Sequence, residues 1–368
     1  MRFASRMNNL RASAIREFFD QGRRIPDAIN LAIGQMPFDV PLPIKQATID
    51  SIEGRCGRYS PTEGYPDVVE ATKRHLVKNF SLDEGETVMM TAGATGALTL
   101  AFLALAGPGD EVLLPDPFFV VYGNLAHIVG ATPTFYNMYP DFRPNVDEIV
   151  ANITPRTKLL VFNNPANPTG SVYTAEEVEA VAKVCAEHGV PVVSDELHAG
   201  FVYDGTHTSI KRFLGAGSIL VGGLSKTYAM AGWRLGWAAG ARDVIDKLRV
   251  LQQFTYTCPP TLVQRGAKVA FDVDISEHVL AHRQKRDLVY DALVSAGYEV
   301  TKPQGSIFLF ARVPHGDDLS FCEQALKEKL LIVPGRAFSR RTTHFRLCFA
   351  PPEETLLRGL EVLTRMAK

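Results

Sequence analysis

Lys226 follows a β-like run and a glycine pair, Gly222 and Gly223, and Arg234 comes eight residues later. The residues around them, Ser225, Ala229, Met230, Ala231, Gly232 and Trp233, are small or apolar, so both cations lie among groups that bury. An ammonium taken out of water loses its charge more readily, and the neutral amine attacks carbonyl carbon. A guanidinium suits a phosphate. A lone lysine in a loop is usually a solvated cation, but these flanks argue otherwise. An imine-forming lysine beside a phosphate-binding arginine implies pyridoxal phosphate.

Other stretches hold polar groups where apolar ones would be ordinary. Asp195 closes the run 191–194, where in isolation it reads as a helix N-cap. Asn163, Asn164, Pro165, Ala166, Asn167, Pro168, Thr169 and Gly170 form a rigid turn-rich segment, with Asn167–Pro168 a candidate cis bond. Small residues from Thr91 to Ala97 open an apolar helix, whose first amides and dipole favour an anion. Arg346 is a cation inside the apolar run Phe345 to Phe349, and a buried arginine needs a partner.

The elements that must position these groups follow from periodicity. Short β-rich runs at 87–91, 111–114, 158–162, 191–194 and 218–221 alternate with helical stretches at 94–105, 175–188 and 244–253. Near-continuous apolar strands between helices imply a mostly parallel sheet covered on both faces. Four of these runs end in small or polar residues, at Gly93, Asn163, Asp195 and Gly223. Ligands in open α/β sheets bind outside the carboxyl ends of the strands, which predicts one shared site there. Beyond residue 276 the pattern changes to a helix at 277–296, β-like pieces at 299–301, 307–310, 331–333 and 344–347, and a last helix at 353–366. A helix is also expected over 8–19. The expected division is an N-terminal arm that joins a small domain (1–45), a large cofactor-binding domain (46–275) and a small C-terminal α+β domain (276–368).

Composition sets the class. Thirty-nine Lys and Arg against forty Asp and Glu give a net charge of −1 over 368 residues, with no basic excess for tracking nucleic-acid phosphate. No stretch approaches the ~20 apolar residues of a membrane span. The first residues carry positive charge without a following apolar block, so no signal peptide is expected. Five cysteines, at 56, 185, 258, 322 and 348, are widely spaced without a C-x-x-C pair. That argues against a disulfide framework or structural zinc and suits a reducing cytoplasm.

The run from Gly223 through Lys226 to Arg234 and Gly236 resembles the cofactor-attachment signature of class I/II aminotransferases, the aspartate-aminotransferase-like enzymes of fold type I. The resemblance covers about residues 31–363. It implies a seven-stranded-type, mostly parallel sheet sandwiched by helices, with a smaller α+β domain. By resemblance Lys226 carries pyridoxal 5'-phosphate as an imine and shuttles the Cα proton. Arg234, Ala94 and Thr95 belong to its phosphate site, Ser225 is a further cofactor-binding residue, Phe119 stacks on its ring, and Asp195 keeps the ring nitrogen protonated, making the ring a better electron sink. Asn167 bonds the phenolic oxygen and lies at the substrate, Arg346 binds the substrate α-carboxylate with two prongs, and Gly34 lies in the segment that closes over it. Tyr59 would reach the phosphate of a neighbouring subunit, which implies a homodimer with shared sites.

Three positions depart from the family pattern. His198 stands where a tyrosine is usual, and an Asp-Glu-x-His run looks more like the carbon–sulfur β-lyase branch. Gly223 replaces a phosphate-binding serine, and Glu70 replaces an arginine. The leading reading is transamination, from an L-amino acid to a 2-oxo acid. The alternatives use the same carbanion for β- or γ-elimination, decarboxylation, cyclisation or oxidation. A non-enzymatic regulator built on this fold would carry a DNA-binding module, and only about thirty residues precede Leu31.

Overall fold

The computed structural model describes residues 3–10, 20, 22, 25–54 and 57–368. Most of the helix expected over 8–19 lies outside the described residues, as does Cys56.

Seven strands form the main sheet: β1 (Thr87–Thr91), β2 (Glu111–Asp116), β3 (Thr132–Asn137), β4 (Thr157–Asn163), β5 (Val192–Asp195), β6 (Ser218–Gly223) and β7 (Gly236–Gly240). In space they run β1-β7-β6-β5-β4-β2-β3. Strand β7 is antiparallel to both its neighbours, and the other adjacent pairs are parallel. The six co-directional strands therefore end at one edge, where the polar strand ends of the sequence gather. Periodicity found five of the seven. It missed β3, a half-buried edge strand containing Pro133, and β7, whose Gly-Trp-Ala-Ala-Gly has little of the β-branched character that marks a strand.

The helices that cover the sheet are α1 (Pro66–Phe80), α2 (Gly93–Leu105), α3 (Val120–Val129), α4 (Ala175–Glu187), α5 (Arg242–Thr255) and α6 (Thr261–Ala270). Alternate residues of each strand serve opposite faces. Met89, Val112, Leu114, Val161, Val193 and Val221 pack with Leu98 and Phe102 of α2 and with Ile245 and Leu248 of α5. Their neighbours Leu113, Leu160, Phe162 and Val192 pack with Val178 and Val181 of α4. Val88, Met90 and Leu220 meet Val68 and Leu76 of α1 and Ala267 of α6. Burial on both faces explains why these strands read as unbroken apolar runs.

The C-terminal region has its own three-stranded antiparallel sheet of β8 (Phe308–Arg312), β9 (Val333–Pro334) and β10 (His344–Cys348), in the order β9-β10-β8. Helices α7 (Ser276–Ser295) and α8 (Glu353–Met366) pack on it through Val289, Leu293, Leu356, Leu360 and Leu363. The N-terminal segment joins this core, since Ile29 and Leu31 are buried in it and Ile29–Asn30 pairs in parallel with Leu330–Leu331. The piece expected at 299–301 is reduced to a single bridge between Val300 and Ala311. Among the described residues no helix is long and apolar enough to cross a membrane.

Candidate active site

A cavity of about 380 Å³ opens at the carboxyl edge of the main sheet. Lys226, Asp195, Asn167, His198, Phe119, Gly34 and Arg346 all line it. These residues come from β5, the turn that follows it, the loops after β4 and β6, the start of α3, the N-terminal segment and β10. The two sheets thus converge on one place, as the strand-end pattern predicts.

Lys226 lies just past β6, and its Nζ donates to the carbonyl of Gly34. Burial, reinforced by the charges of Arg346 and Arg234, pulls its ammonium down to about 8. About a tenth is then a free amine at pH 7, far more than for an ordinary lysine. A Cβ at Gly34 would overlap the ring of Phe308, so the N-terminal segment closes against the lysine only as glycine.

Asp195 ends β5 and is 4% exposed. Its Oδ2 accepts from the Tyr122 hydroxyl at 2.8 Å and its Oδ1 from the Leu197 amide at 3.2 Å. Burial raises its carboxyl to about 6, and those two hydrogen bonds oppose the rise. Asn163 fastens the neighbouring loop: its Nδ2 donates to the Asp195 carbonyl at 2.8 Å, and its Oδ1 accepts the Asn167 amide at 2.8 Å. Asn167–Pro168 is cis, as is Asn164–Pro165.

Arg346 crosses the cavity from β10. One Nη donates to Asn167 Oδ1 at 3.1 Å and the other to the Ala32 carbonyl at 2.9 Å. Its guanidinium lies 4.0 Å from the ring centre of Phe308 and 4.4 Å from that of Phe338. Nε is buried without a protein partner, so a hydrogen-bond donor is left for an anion.

The residues expected at a phosphate lie to one side. Ala94 and Thr95 form the first turn of α2, whose leading amides have no intrahelical acceptor. Gly93 has φ +72°, and a Cβ there would sit 2.7 Å from an Nη of Arg234. Gly236 pairs with Gly223, and a Cβ on it would meet the Ala94 amide nitrogen at 2.6 Å. Glycines therefore let the helix start, the arginine and the edge of β7 close into a cradle of amides and one guanidinium. Ser225 is buried beside Lys226, while Thr95 and Arg234 are exposed. Tyr59 is 83% exposed and does not line the cavity of its own chain.

The donor set suits pyridoxal phosphate: an anion cradle, a carboxyl held where it can meet a ring nitrogen, and an unpaired guanidinium N–H for a substrate carboxylate.

His198 is buried and neutral. Burial, with the charges of Lys226 and Arg346, drives its imidazole well below 6.5, so it does not serve as a protonated donor near neutral pH. Its Nδ1 lies 3.2 Å from Ser306 Oγ, and its ring meets Phe308 edge-on with centroids 5.7 Å apart. At Gly223 a Cβ would meet the Leu235 carbonyl at 3.1 Å, so this backbone is already close-packed. Glu70 forms a solvated pair with Arg74 at 3.5 Å.

Sequence reasoning did not single out Tyr122, Ser306 or Phe308, and it named Asn163 only as a strand end. The part of Asn163 in fastening Asp195 and Asn167 appears only in the fold. Tyr122 and Ser306 meet their partners only through tertiary contacts.

The family model "Aminotransferase class I and II" matches residues 26–363. The chain is 34% identical to an aspartate aminotransferase of Pyrococcus abyssi, over 100% of this chain and 98% of that protein. It is 31% identical to aromatic-amino-acid aminotransferase 2 of Thermococcus litoralis, over 100% of this chain and 99% of that protein. It superposes with TM-score 0.94 on the structure of aspartate aminotransferase from Thermus thermophilus with maleate, at 30% identity and 100% coverage of both chains.

Proposed function

This chain belongs to the class I and II aminotransferases, which transfer amino groups with pyridoxal phosphate, and we propose that its own transfer runs from an apolar or aromatic L-amino acid to a 2-oxo acid, on the residues gathered in the cavity. The observation that carries this reading is the convergence of Lys226, Asp195 and Arg346 on one cavity from three separate stretches of chain.

When bound, pyridoxal phosphate would supply a protonated pyridine ring as the electron sink for Cα. Arg346 binds the substrate α-carboxylate through the N–H groups that Asn167 and Ala32 leave free, which fixes the orientation of Cα. Lys226, which holds the cofactor at rest, takes the Cα proton as a neutral amine and delivers it back on the other side of the transfer. Asp195 holds the proton on the ring nitrogen, with Tyr122 and the Leu197 amide fixing its carboxylate. Asn167 and His198 would meet the cofactor's phenolic oxygen, and Phe119 would cover its ring. Ala94, Thr95, Ser225 and Arg234 would hold the phosphate. The segment at Gly34 and the ring of Phe308 keep water from Lys226.

The preference for an apolar donor rests on the walls of the cavity, which include Ile33, Val120, Leu197 and Phe308. Among the described residues that line it, Lys226 and Arg346 are the only Lys or Arg side chains, and both already have roles. The relatives are named for aspartate and for aromatic amino acids, and this lining favours the second.

We further propose a cytoplasmic homodimer with shared sites. The exposed Tyr59 and Phe254, and the open flank of Arg234 and Thr95, support a subunit contact near the phosphate. Cys185, Cys258, Cys322 and Cys348 are free thiols, which supports a reducing compartment. The division into 1–45, 46–275 and 276–368 is part of this proposal, supported by the separate apolar cores, with Ile29, Leu31 and Met36 in the C-terminal core and Val40 and Ile44 already packed with the large unit.

The test is product analysis with a panel of L-amino acids, with and without 2-oxoglutarate. Formation of 2-oxo acid only with the acceptor, fastest for apolar or aromatic donors, is the expected result. Ammonia release without acceptor points instead to elimination or oxidation, and a preference for aspartate overturns the donor assignment.

A further inference from the structure

Ser306 is fully buried and holds φ +61°, a left-handed conformation that a residue other than glycine adopts at a cost. The surroundings fix it there. Its amide donates to the Phe201 carbonyl at 2.9 Å, and its carbonyl accepts the Tyr203 hydroxyl at 2.5 Å. Phe201 and Tyr203 follow His198 on the main-sheet side, so the loop before β8 is pinned against the turn after β5. The strained backbone places Ser306 Oγ 3.2 Å from Nδ1 of His198, and this is its only hydrogen-bond partner among the described residues.

A neutral imidazole carries one N–H and one lone pair, and the hydrogen bond at one nitrogen decides the role of the other. If Nδ1 carried the hydrogen and donated to Ser306, the serine hydroxyl would itself be a buried donor with no acceptor. Such groups are rare in folded proteins because they lose water and gain nothing. If the serine donates to Nδ1, its hydrogen is satisfied. The remaining imidazole N–H, on Nε2, has no protein partner among the described residues, and His198 lines the cavity.

We propose that Ser306 is a positioning residue: its hydroxyl donates to Nδ1 of His198, which places the imidazole hydrogen on Nε2 and presents His198 to the cavity as a hydrogen-bond donor. The residue facing the phenolic oxygen is then a donor that keeps this role across the neutral range, as a tyrosine hydroxyl would be. The inference rests on the functional reading above only for the group that Nε2 meets.

The tautomer can be read without turnover. Long-range proton–nitrogen spectra of histidine-labelled, cofactor-free protein, assigned with His198→Gln, should show His198 carrying its hydrogen on Nε2. Ser306→Ala and Ser306→Gly should both move it toward the Nδ1–H form or a mixture. Both should also weaken pyridoxal phosphate binding by about three- to tenfold, the loss of one hydrogen bond. Glycine relieves the positive φ, so Ser306→Gly should do this without lowering Tm, which separates the hydroxyl from the backbone. An Nδ1–H tautomer in the unaltered protein, or a tautomer indifferent to both substitutions, overturns the proposal. If the Nε2–H tautomer holds while the donor panel shows no amino transfer, the functional reading fails and this one stands.

Discussion

The Tyr122 hydroxyl donates to Oδ2 of Asp195 at 2.8 Å, and both side chains are buried. With the Leu197 amide on the other oxygen, the carboxylate is held at both ends. Such a carboxylate is oriented before any ligand arrives. Tyr122→Phe keeps the ring but leaves Oδ2 without a protein donor. Loss of a hydrogen bond to a charged group predicts roughly a tenfold or greater fall in kcat. The check is steady-state kinetics beside cofactor titration, and unchanged values for both would remove Tyr122 from the site's support.

Asp195 also governs stability in the cofactor-free protein. Its carboxyl stands at about 6 in the folded chain, against an ordinary 3.8. The folded state thus binds the proton more tightly than the unfolded one, and this contribution is fully present below about pH 4. It is lost as pH rises from there through 6, by ~2–4 kcal/mol. Asp195→Asn lacks this titration. Denaturant melts of the two cofactor-free proteins should show unaltered protein losing stability relative to Asp195→Asn between pH 4 and 7. Parallel curves over that window contradict the buried, raised carboxyl.

Lys226 supplies a second titration. Its ammonium is lowered to about 8 by burial, and only the free amine forms an imine. The rate at which cofactor-free protein captures pyridoxal phosphate, followed by absorbance, should rise with pH to a midpoint near 8 instead of near 10. Borohydride should then fix the cofactor to the peptide containing Lys226, and Lys226→Ala should show no fixation. Labelling on another lysine defeats the assignment.

What was legible in the sequence follows from the kind of signal each residue left. Lys226 and Arg346 stood out because each is a cation inside an apolar run, which burial must explain. Asp195 stood out because it ends a strand that points to the shared edge, and Asn167 because it lies in the Asn-Pro turn just past the end of β4. Tyr122 left no such mark, because a tyrosine in an apolar helix is ordinary and its partner is 73 residues away. Ser306 is 108 residues from His198, and its left-handed backbone is a property of the packed loop. His198 was visible as a departure, but its neutral state was not. That state comes from burial beside two cations, which exists only once β10 and the lysine loop meet. Strand β7 was missed for a related reason, since its neighbours made a strand of a sequence with weak propensity of its own, whereas Pro133 and an edge position hid β3.

Arg346 offers the sharpest separation of binding from structure. Its two Nη atoms hold Asn167 and Ala32, while Nε and the remaining Nη hydrogens are available to an anion. The planar group also lies against the rings of Phe308 and Phe338. Arg346→Lys keeps a positive charge but replaces the fork with a point donor that cannot present two parallel N–H groups or stack as a plane. If Arg346 binds the α-carboxylate, KM for the amino donor should rise by about tenfold or more, from the lost charge-assisted hydrogen bond. The cofactor carries no α-carboxylate, so pyridoxal phosphate affinity should stay within about threefold of its starting value. Tm should fall modestly, because Asn167 and Ala32 lose a partner. Kinetics for donor and acceptor, cofactor titration and a melt on the same preparation give all three quantities. A lowered Tm with KM unchanged for both amino acid and 2-oxo acid would make Arg346 a tie between β10 and the Asn167 loop, and the carboxylate would have to be bound elsewhere in the cavity.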